Sequence, residues 1–420
     1  MRTFKIILIS AYLAAFALPA ALAQEVLTWS DCLAEAKKNH PDLISAQETV
    51  NQSQAAKQIT ASTLFPQVNS DLSANRAKAS GKTANTYSYG VDGTQLLFDG
   101  FKTMNNVKGA LENIEASRQG YRFTSSQIRY RLRNAFIDLM RAQELITVTE
   151  DIVKIRRDEL ILITLSYESG LEHKGALLTA QANLAQAQFE RAQAQRNLEV
   201  VQRQLTKEMG RTRLVPLYVK GELVINFANL EKPDFEALAK NNPSLQKLIF
   251  QENAAAFGVK SAYGNFSPKI SASSGAGEAG STWPPEKDQW NAGLALSLPL
   301  FEGGLRTAQV DQAKALYRQA QANTRSSSDG VVLALEQTWA TFADAVERVK
   351  VQQKVLEAAQ ERSKIAEAQY SVGFISYDNW AIIEDNHVQA KKSYLDAQAN
   401  ALLAEAAWVQ AKGETLEYVQ

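Results

Sequence analysis

The chain has one cysteine, three histidines and ten prolines in 420 residues, and no excess of either charge. The single cysteine, Cys32, excludes a disulfide framework. His40, His173 and His387 are too scattered to suggest a metal site. With 45 Lys+Arg against 45 Asp+Glu, the chain has no basic face to displace counterions from phosphates, which argues against a nucleic-acid partner. No G-x-S-x-G, H-E-x-x-H, P-loop or C-x-x-C occurs, so no catalytic constellation and no cofactor is expected. After the first residues no stretch reaches 18 apolar positions, so any membrane crossing must be by a closed β-barrel. The prolines stand at 19, 41, 66, 216, 233, 243, 268, 284, 285 and 299, leaving 67–215 and 300–420 without any. Two such gaps are out of keeping with a loop-rich globular enzyme.

Export accounts for the start of the chain. Arg2 and Lys5 precede a largely apolar run from Ile6 to Leu18, followed by Ala21-Leu22-Ala23. This is the pattern of a secretory signal peptide, 1–23, cleaved after Ala23. The apolar run is shorter than the ~20 residues of a spanning helix, which disfavours a membrane anchor. Cleavage leaves 43 positive against 45 negative side chains, a net charge of −2. Trp29-Ser30-Asp31 before Cys32 lacks the small and apolar residues of a lipoprotein site, so Cys32 reads as a half-buried helix residue.

The remainder is one plan written twice. Asn39-His40-Pro41-Asp42-Leu43 matches Asn241-Asn242-Pro243-Ser244-Leu245 at an offset of 202, and Phe65-Pro66 and Ser267-Pro268 keep it. Leu97-Phe98-Asp99-Gly100 matches Leu300-Phe301-Glu302-Gly303, and Tyr167-Glu168-Ser169-Gly170 matches Tyr370-Ser371-Val372-Gly373, both at 203. Met209-Gly210 and Lys412-Gly413 close the copies in step. The chain therefore divides into 24–210, a linker over 211–234, a second repeat over 235–413 and a short tail, 414–420. In each copy a helix of about 25 residues starts at the proline. Two strand-like segments follow, then a long helix and a return helix. The first long helix, from about Phe101 to Glu168, spans about 100 Å at 1.5 Å per residue. Its return runs over about 175–209.

A heptad runs along the long helices. Leu132, Leu139, Ile146, Val153, Leu160 and Tyr167 are each seven apart, and Leu335, Phe342, Val349, Leu356, Ser363 and Tyr370 repeat the row at 203. A seven-residue period keeps one stripe against a partner helix. Leu177, Leu184, Leu198 and Leu205 do the same on the first return helix. Up to this point a plain antiparallel coiled coil suffices.

The strand segments, about 67–78, 86–98, 269–279 and 289–299, ask for more. Trp290, Ala292, Leu294, Leu296 and Leu298 alternate at strict period two, and Val68, Leu72, Ala74, Tyr87, Tyr89 and Val91 do so loosely. Their length suits a tilted strand crossing a bilayer, and Tyr87, Trp290, Phe98 and Phe301 suit an aromatic girdle. Four strands cannot close a barrel, since about eight is the practical minimum. Several chains must share one barrel, unless the strands form a soluble sheet capping a coiled coil.

The exported, duplicated plan, its Asn-x-Pro helix starts, Leu-Phe-(Asp/Glu)-Gly strand exits and tip turns resemble the TolC family of outer-membrane efflux proteins over about 25–415. The resemblance implies a mostly α fold with membrane β-barrel strands, in two tandem helix–strand–strand–helix–helix repeats. It implies a homotrimer, whose 12-stranded barrel in outer-membrane lipid continues into a periplasmic α-helical barrel, with the shorter helices stacked end to end beside the long ones. It also implies the role of exit duct for a tripartite efflux pump or type I secretion system. The partners would be a periplasmic adaptor and an inner-membrane transporter. The tips would dock the adaptor through Tyr167, Gly170, Leu171, Tyr370, Gly373, Phe374, Ile375 and Ser376. Both tyrosines also lie on the heptad rows, where helix capping explains them equally well.

One departure stands out. Where family members carry aspartates after the second tip, this chain has Asn379 and Ile382. Its entrance constriction is expected to be less acidic, or built from Tyr377, Asp378 and Trp380. Ser244-Leu245-Gln246-Lys247 fits S-x-x-K, but the equivalent Asp42-Leu43-Ile44-Ser45 lacks both residues, which leaves no catalytic reading. Asp31 and Glu35 read as helix-start charges. The rival reading is a soluble periplasmic coiled-coil adaptor. An adaptor would show one hairpin between β-rich domains and an inner-membrane anchor, whereas this chain shows two equivalent hairpins with strands inside each copy.

Overall fold

The structure, a computed structural model, describes residues 25–213, 215–224 and 231–417. The signal peptide expected at 1–23 lies outside the described residues. The first copy runs β1 (Glu25–Leu27), α1 (Trp29–Asn39), α2 (Pro41–Ser62), β2 (Gln67–Ala79), β3 (Lys82–Phe98), α3 (Lys102–Glu168) and α4 (Lys174–Glu208). The linker holds β4 (Leu217–Val219), and the second copy runs α5 (Phe235–Lys240), α6 (Pro243–Gly264), β5 (Lys269–Gly280), β6 (Lys287–Ser297), α7 (Leu305–Ser371) and α8 (Tyr377–Ala411). Three pairs of helices agree to the residue: α2 and α6 have 22 each, α3 and α7 have 67, α4 and α8 have 35. No described helix is long and apolar enough to cross a membrane.

The punctuation of the sequence sets these bounds. α2 and α6 start with proline, which has no N–H to leave unsatisfied at a first turn. The residue before each is a cap: His40 accepts from Asp42 N–H, and Asn242 from Ser244 N–H. α2 and α4 both pack on α3, and α6 and α8 both pack on α7. The short helices meet end to end. A side chain on Gly210, just past α4, would sit 2.5 Å from the Asn39 carbonyl oxygen ahead of α2. One on Gly413, just past α8, would sit 2.4 Å from Pro243 Cδ at the head of α6. Both glycines hold positive φ, +79° and +82°, so backbone conformation and close approach demand glycine together.

The predicted heptad row is the buried seam. Leu132, Leu139 and Leu335 are fully enclosed, and Phe342, Val349 and Val153 are buried. The return helices pack differently. On α4 the expected leucines are buried only at its far end, at Leu198 and Leu205; nearer the tip Leu177 and Leu184 are half-buried, and the deep row is Ala180, Ala187 and Ala194, also seven apart. Small side chains here let α4 approach α3 closely.

The four long strands form one antiparallel sheet in the order β2-β3-β5-β6. β3 starts at Lys82, four residues before the expected 86, because a two-residue turn, Ser80-Gly81 with φ of 49° and 78°, zips the ladder to its end. β6 covers 287–297 instead of about 289–299. Directly paired residues share a face. One face carries Val68, Leu72, Ala74, Tyr87, Tyr89, Val91, Ala276, Trp290, Ala292, Leu294 and Leu296. The other carries Asn69, Asp71, Ser73, Ser88, Asp92, Thr94, Ser271, Ser273, Gln289 and Asn291. β2 and β6 are edges, each paired on one side only within the chain. A second small sheet pairs β1 with β4 in parallel and ties the N-terminal segment to the linker.

Cys32 is fully buried inside α1, and burial pushes its thiol up to about 12. An enclosed helical position cannot be a lipid attachment point, so the rejected lipoprotein reading stays rejected. Ser244 donates its hydroxyl to Asn242 Oδ1 at 2.7 Å and so belongs to the α6 cap.

Candidate functional site

The two helical hairpins end in the same turn. Gly170 (φ +73°) follows α3 and Gly373 (φ +76°) follows α7. Gly170 N–H donates to the Tyr167 carbonyl at 3.0 Å and Leu171 N–H to Ser166 at 2.8 Å. The second tip repeats this, from Gly373 to Tyr370 at 2.9 Å and from Phe374 to Gln369 at 2.8 Å. This paired pattern is the Schellman closure, which needs a left-handed residue at the position glycine holds. Each turn lifts apolar side chains into the open: Leu171 is 82% exposed and Phe374 80%, with Val372 beside it at 77%. Tyr167 is 38% exposed, and Ile375 is half-buried. Ser376 caps α8, its hydroxyl accepting from Asn379 N–H.

Behind the tips the hairpins are clasped to each other. Tyr370 stacks on Trp380 with ring centroids 4.8 Å apart and meets Tyr377 edge-on. Its hydroxyl donates to Glu172 Oε1 in the first tip at 3.0 Å. Burial, together with that carboxylate, pushes the Tyr370 hydroxyl up to about 12, so it remains a donor. The Tyr377 hydroxyl donates to Glu159 Oε1 of α3 at 2.9 Å, and burial and Glu159 hold its pKa well above the ordinary phenol value. Arg156, almost wholly buried, bonds Glu159 at 2.8 Å and also reaches Asp385 of α8. Glu384 accepts from Ser363 and meets His387 Nδ1 at 3.1 Å. Burial pushes the Glu384 carboxyl up, but its His387 and Ser363 hydrogen bonds win and hold it below the usual range.

These contacts correct the expected constriction. Tyr377 is 1% exposed and Trp380 6%, both packed with Ile163, Ala176, Ala180, Ala366 and Ala381. They form the core of the clasp and do not project from it. Asp378, Asn379 and Ile382 are the side chains left exposed on this part of α8. The helix phase decided this, since 377, 380, 381 and 384 share one face and 378, 379 and 382 the other.

A family model described as "Outer membrane efflux protein" matches residues 32–211 and again 235–414. The two matches start and stop 203 residues apart, the offset of the internal repeat. The chain belongs to the outer membrane efflux protein family. Among curated relatives of this efflux protein, Outer membrane efflux protein BepC of Brucella suis is 22% identical over 397 residues, covering 93% of this chain and 83% of BepC. Cation efflux system protein CusC of Escherichia coli K12 is 22% identical over 370 residues, covering 82% of this chain and 77% of CusC. Among solved structures, the Campylobacter jejuni CmeC outer membrane channel superposes with a TM-score of 0.81 at 17% identity, over 92% of this chain and 86% of that one. The outer membrane protein VceC of Vibrio cholerae gives 0.79 at 18%, over 92% and 96%. At such identities the superpositions speak for the fold, and the mostly α architecture with barrel strands in two tandem repeats is common to them.

The links between the hairpins of this efflux protein leave no mark in the sequence. Arg156 and Asp385 are 229 positions apart, and Tyr377 and Glu159 are 218 apart. Their pairing follows from how the two copies are laid side by side, which no local pattern carries. The alanine row at 180, 187 and 194 did have a signal, a strict heptad, but alanine is so frequent in these helices that the row did not stand out.

Proposed function

We infer that this protein is an outer-membrane channel, with a large periplasmic portion, serving as the exit duct of a tripartite efflux pump or a type I secretion system. One observation carries the reading furthest. The four-stranded sheet has one apolar face, one polar face and two unpaired edges, at the far end of helical hairpins about 100 Å long. Such a sheet is stable in lipid only when its edges are closed. Joining β6 of one copy to β2 of the next in three copies gives twelve strands, with the apolar face to lipid and the Asn69, Asp71, Asp92 and Asn291 face to a water-filled lumen. The family membership and the curated relatives support the channel and not the soluble adaptor.

The hairpins then form the periplasmic wall, and the tips face the inner membrane. Leu171, Val372 and Phe374 are the apolar groups a periplasmic adaptor would cover, with Tyr167, Gly170, Tyr370, Gly373, Ile375 and Ser376 shaping the turns that present them. Asp378, Asn379 and Ile382 rim the entrance. A duct of this kind carries out no covalent chemistry, and an inner-membrane transporter supplies the energy. Unboiled outer-membrane fractions should show an SDS-resistant band at three times the chain mass that collapses to the monomer on heating. Recovery of the full-length protein as a soluble periplasmic monomer would overturn the reading.

A further inference from the structure

The two tips differ in one chemical respect. Each return helix begins with a side chain that accepts an early backbone N–H. At the second tip the acceptor is the Ser376 hydroxyl, 3.5 Å from Asn379 N. At the first it is His173 Nδ1, 3.1 Å from Ala176 N. An amide N–H can only donate, so this cap needs the Nδ1 lone pair. A serine oxygen keeps its lone pairs at any physiological pH. An imidazole loses this one when it protonates.

The surroundings are matched to the ring. A Cβ on Gly175 would sit 2.9 Å from His173 Nδ1 and 3.0 Å from Cε1, so any side chain there would press on the capping imidazole. The position equivalent to Gly175 in the second copy is Asp378. Histidine thus goes with glycine at one tip, and serine with aspartate at the other. Asp378 gives α8 an acidic residue in its first turn, whereas α4 has none. A protonated His173 would therefore place a positive charge at the positive end of the α4 dipole with no first-turn carboxylate to offset it. The other titratable groups about the turn are Glu168 at the end of α3, Glu172 in the turn, Lys174 at the start of α4 and Tyr370 from α7. Glu172 is engaged by the Tyr370 hydroxyl.

We propose that the first tip is a pH-sensitive joint and the second is not. Once Nδ1 takes a proton, the α4 cap is lost and the 171–176 turn loosens, while the Ser376 turn keeps its cap. Because Glu172 lies in the loosened turn, the change reaches Tyr370 and hence the clasp between the hairpins. His40 caps α2 by the same bond, 3.2 Å from Asp42 N, but its Nε2 faces the buried Glu208 carboxylate at 3.7 Å. There a protonated ring gains a partner as it loses the cap, so His40 is left unchanged in every test protein.

The test is amide hydrogen exchange on the full-length channel, wild type against His173→Ser, at about pH 7.5 and about pH 5. Comparing the two proteins at each pH cancels the intrinsic pH dependence of exchange. The peptide over 171–180 should exchange alike at the higher pH, and about fivefold faster in wild type at the lower pH, the worth of one helix cap. The peptide over 374–383 should not differ. The double substitution Ser376→His/Asp378→Gly should move the acid response to the second tip. Equal exchange of wild type and H173S at both pH values overturns the proposal, as does a graft whose second tip stays insensitive. If H173S does not assemble, the graft alone decides.

Discussion

Gly373 and Gly413 both hold positive φ, yet their surroundings give them different work. A Cβ on Gly373 would meet nothing within 4 Å, while one on Gly413 would run into Pro243. Replacing Gly373 with isoleucine therefore costs only backbone strain, about 2 kcal/mol per chain. It distorts the turn that presents Val372 and Phe374 and leaves the helices their packing. The expected outcome is a trimer of near-normal yield with impaired export, measured as accumulation of cargo or sensitivity to a pumped compound. Normal export by this variant would remove the tip from the mechanism. Gly413→Ala adds a collision at the joint between α8 and α6, for a total of about 3 kcal/mol. It should lower the temperature at which the SDS-resistant trimer dissociates well below that of Gly373→Ala, and equal temperatures would refute the assignment.

At the scale of the element, the return helices rest on alanine. Ala187 is buried where α4 crosses α3, in a cluster with Ile152, Val153 and Val388. Ala187→Leu forces three extra carbons into that seam and should destabilise the hairpin by about 1–3 kcal/mol. Phe189→Leu, on the exposed side of α4, should be nearly silent in the same thermal assay. This contrast also marks how far the elements were readable. Helix starts and ends were plain because proline, Phe-Pro and glycine are backbone signals that act locally. The leucine rows on α3 and α7 were plain because large apolar residues at a seven-residue period have few other uses. The alanine seam was hidden in a helix where alanine serves both propensity and packing. The phase of α8 beyond its cap was hidden too: Tyr377 and Trp380 look like pore residues by position, and only the turn from Gly373 to Ser376 sets which way they point. The parallel pairing of β1 with β4 joins three-residue strands too short to leave any pattern.

At the scale of the whole molecule, the repeat creates a sheet that one chain cannot finish. Within one chain β2 and β6 each leave a row of backbone groups open. Three-fold closure answers that deficit, and the alternation of faces then decides the fate of each strand residue. Leu294 and Ala295 are adjacent on β6, both exposed, and point to opposite faces of the sheet. An arginine at 294 would lie against lipid near the middle of the strand, at a cost of about 2–4 kcal/mol per chain, incurred three times in the assembled barrel. An arginine at 295 would lie in the aqueous lumen, where its charge stays hydrated. Leu294→Arg should abolish the heat-sensitive trimer in outer-membrane fractions. Ala295→Arg should assemble and alter conductance in planar bilayers by narrowing the lumen and offsetting the negative charge of Asp71 and Asp92. The reverse result, assembly with arginine at 294 and failure at 295, would mean that the sheet is inside out in the membrane and that the polar face meets the lipid.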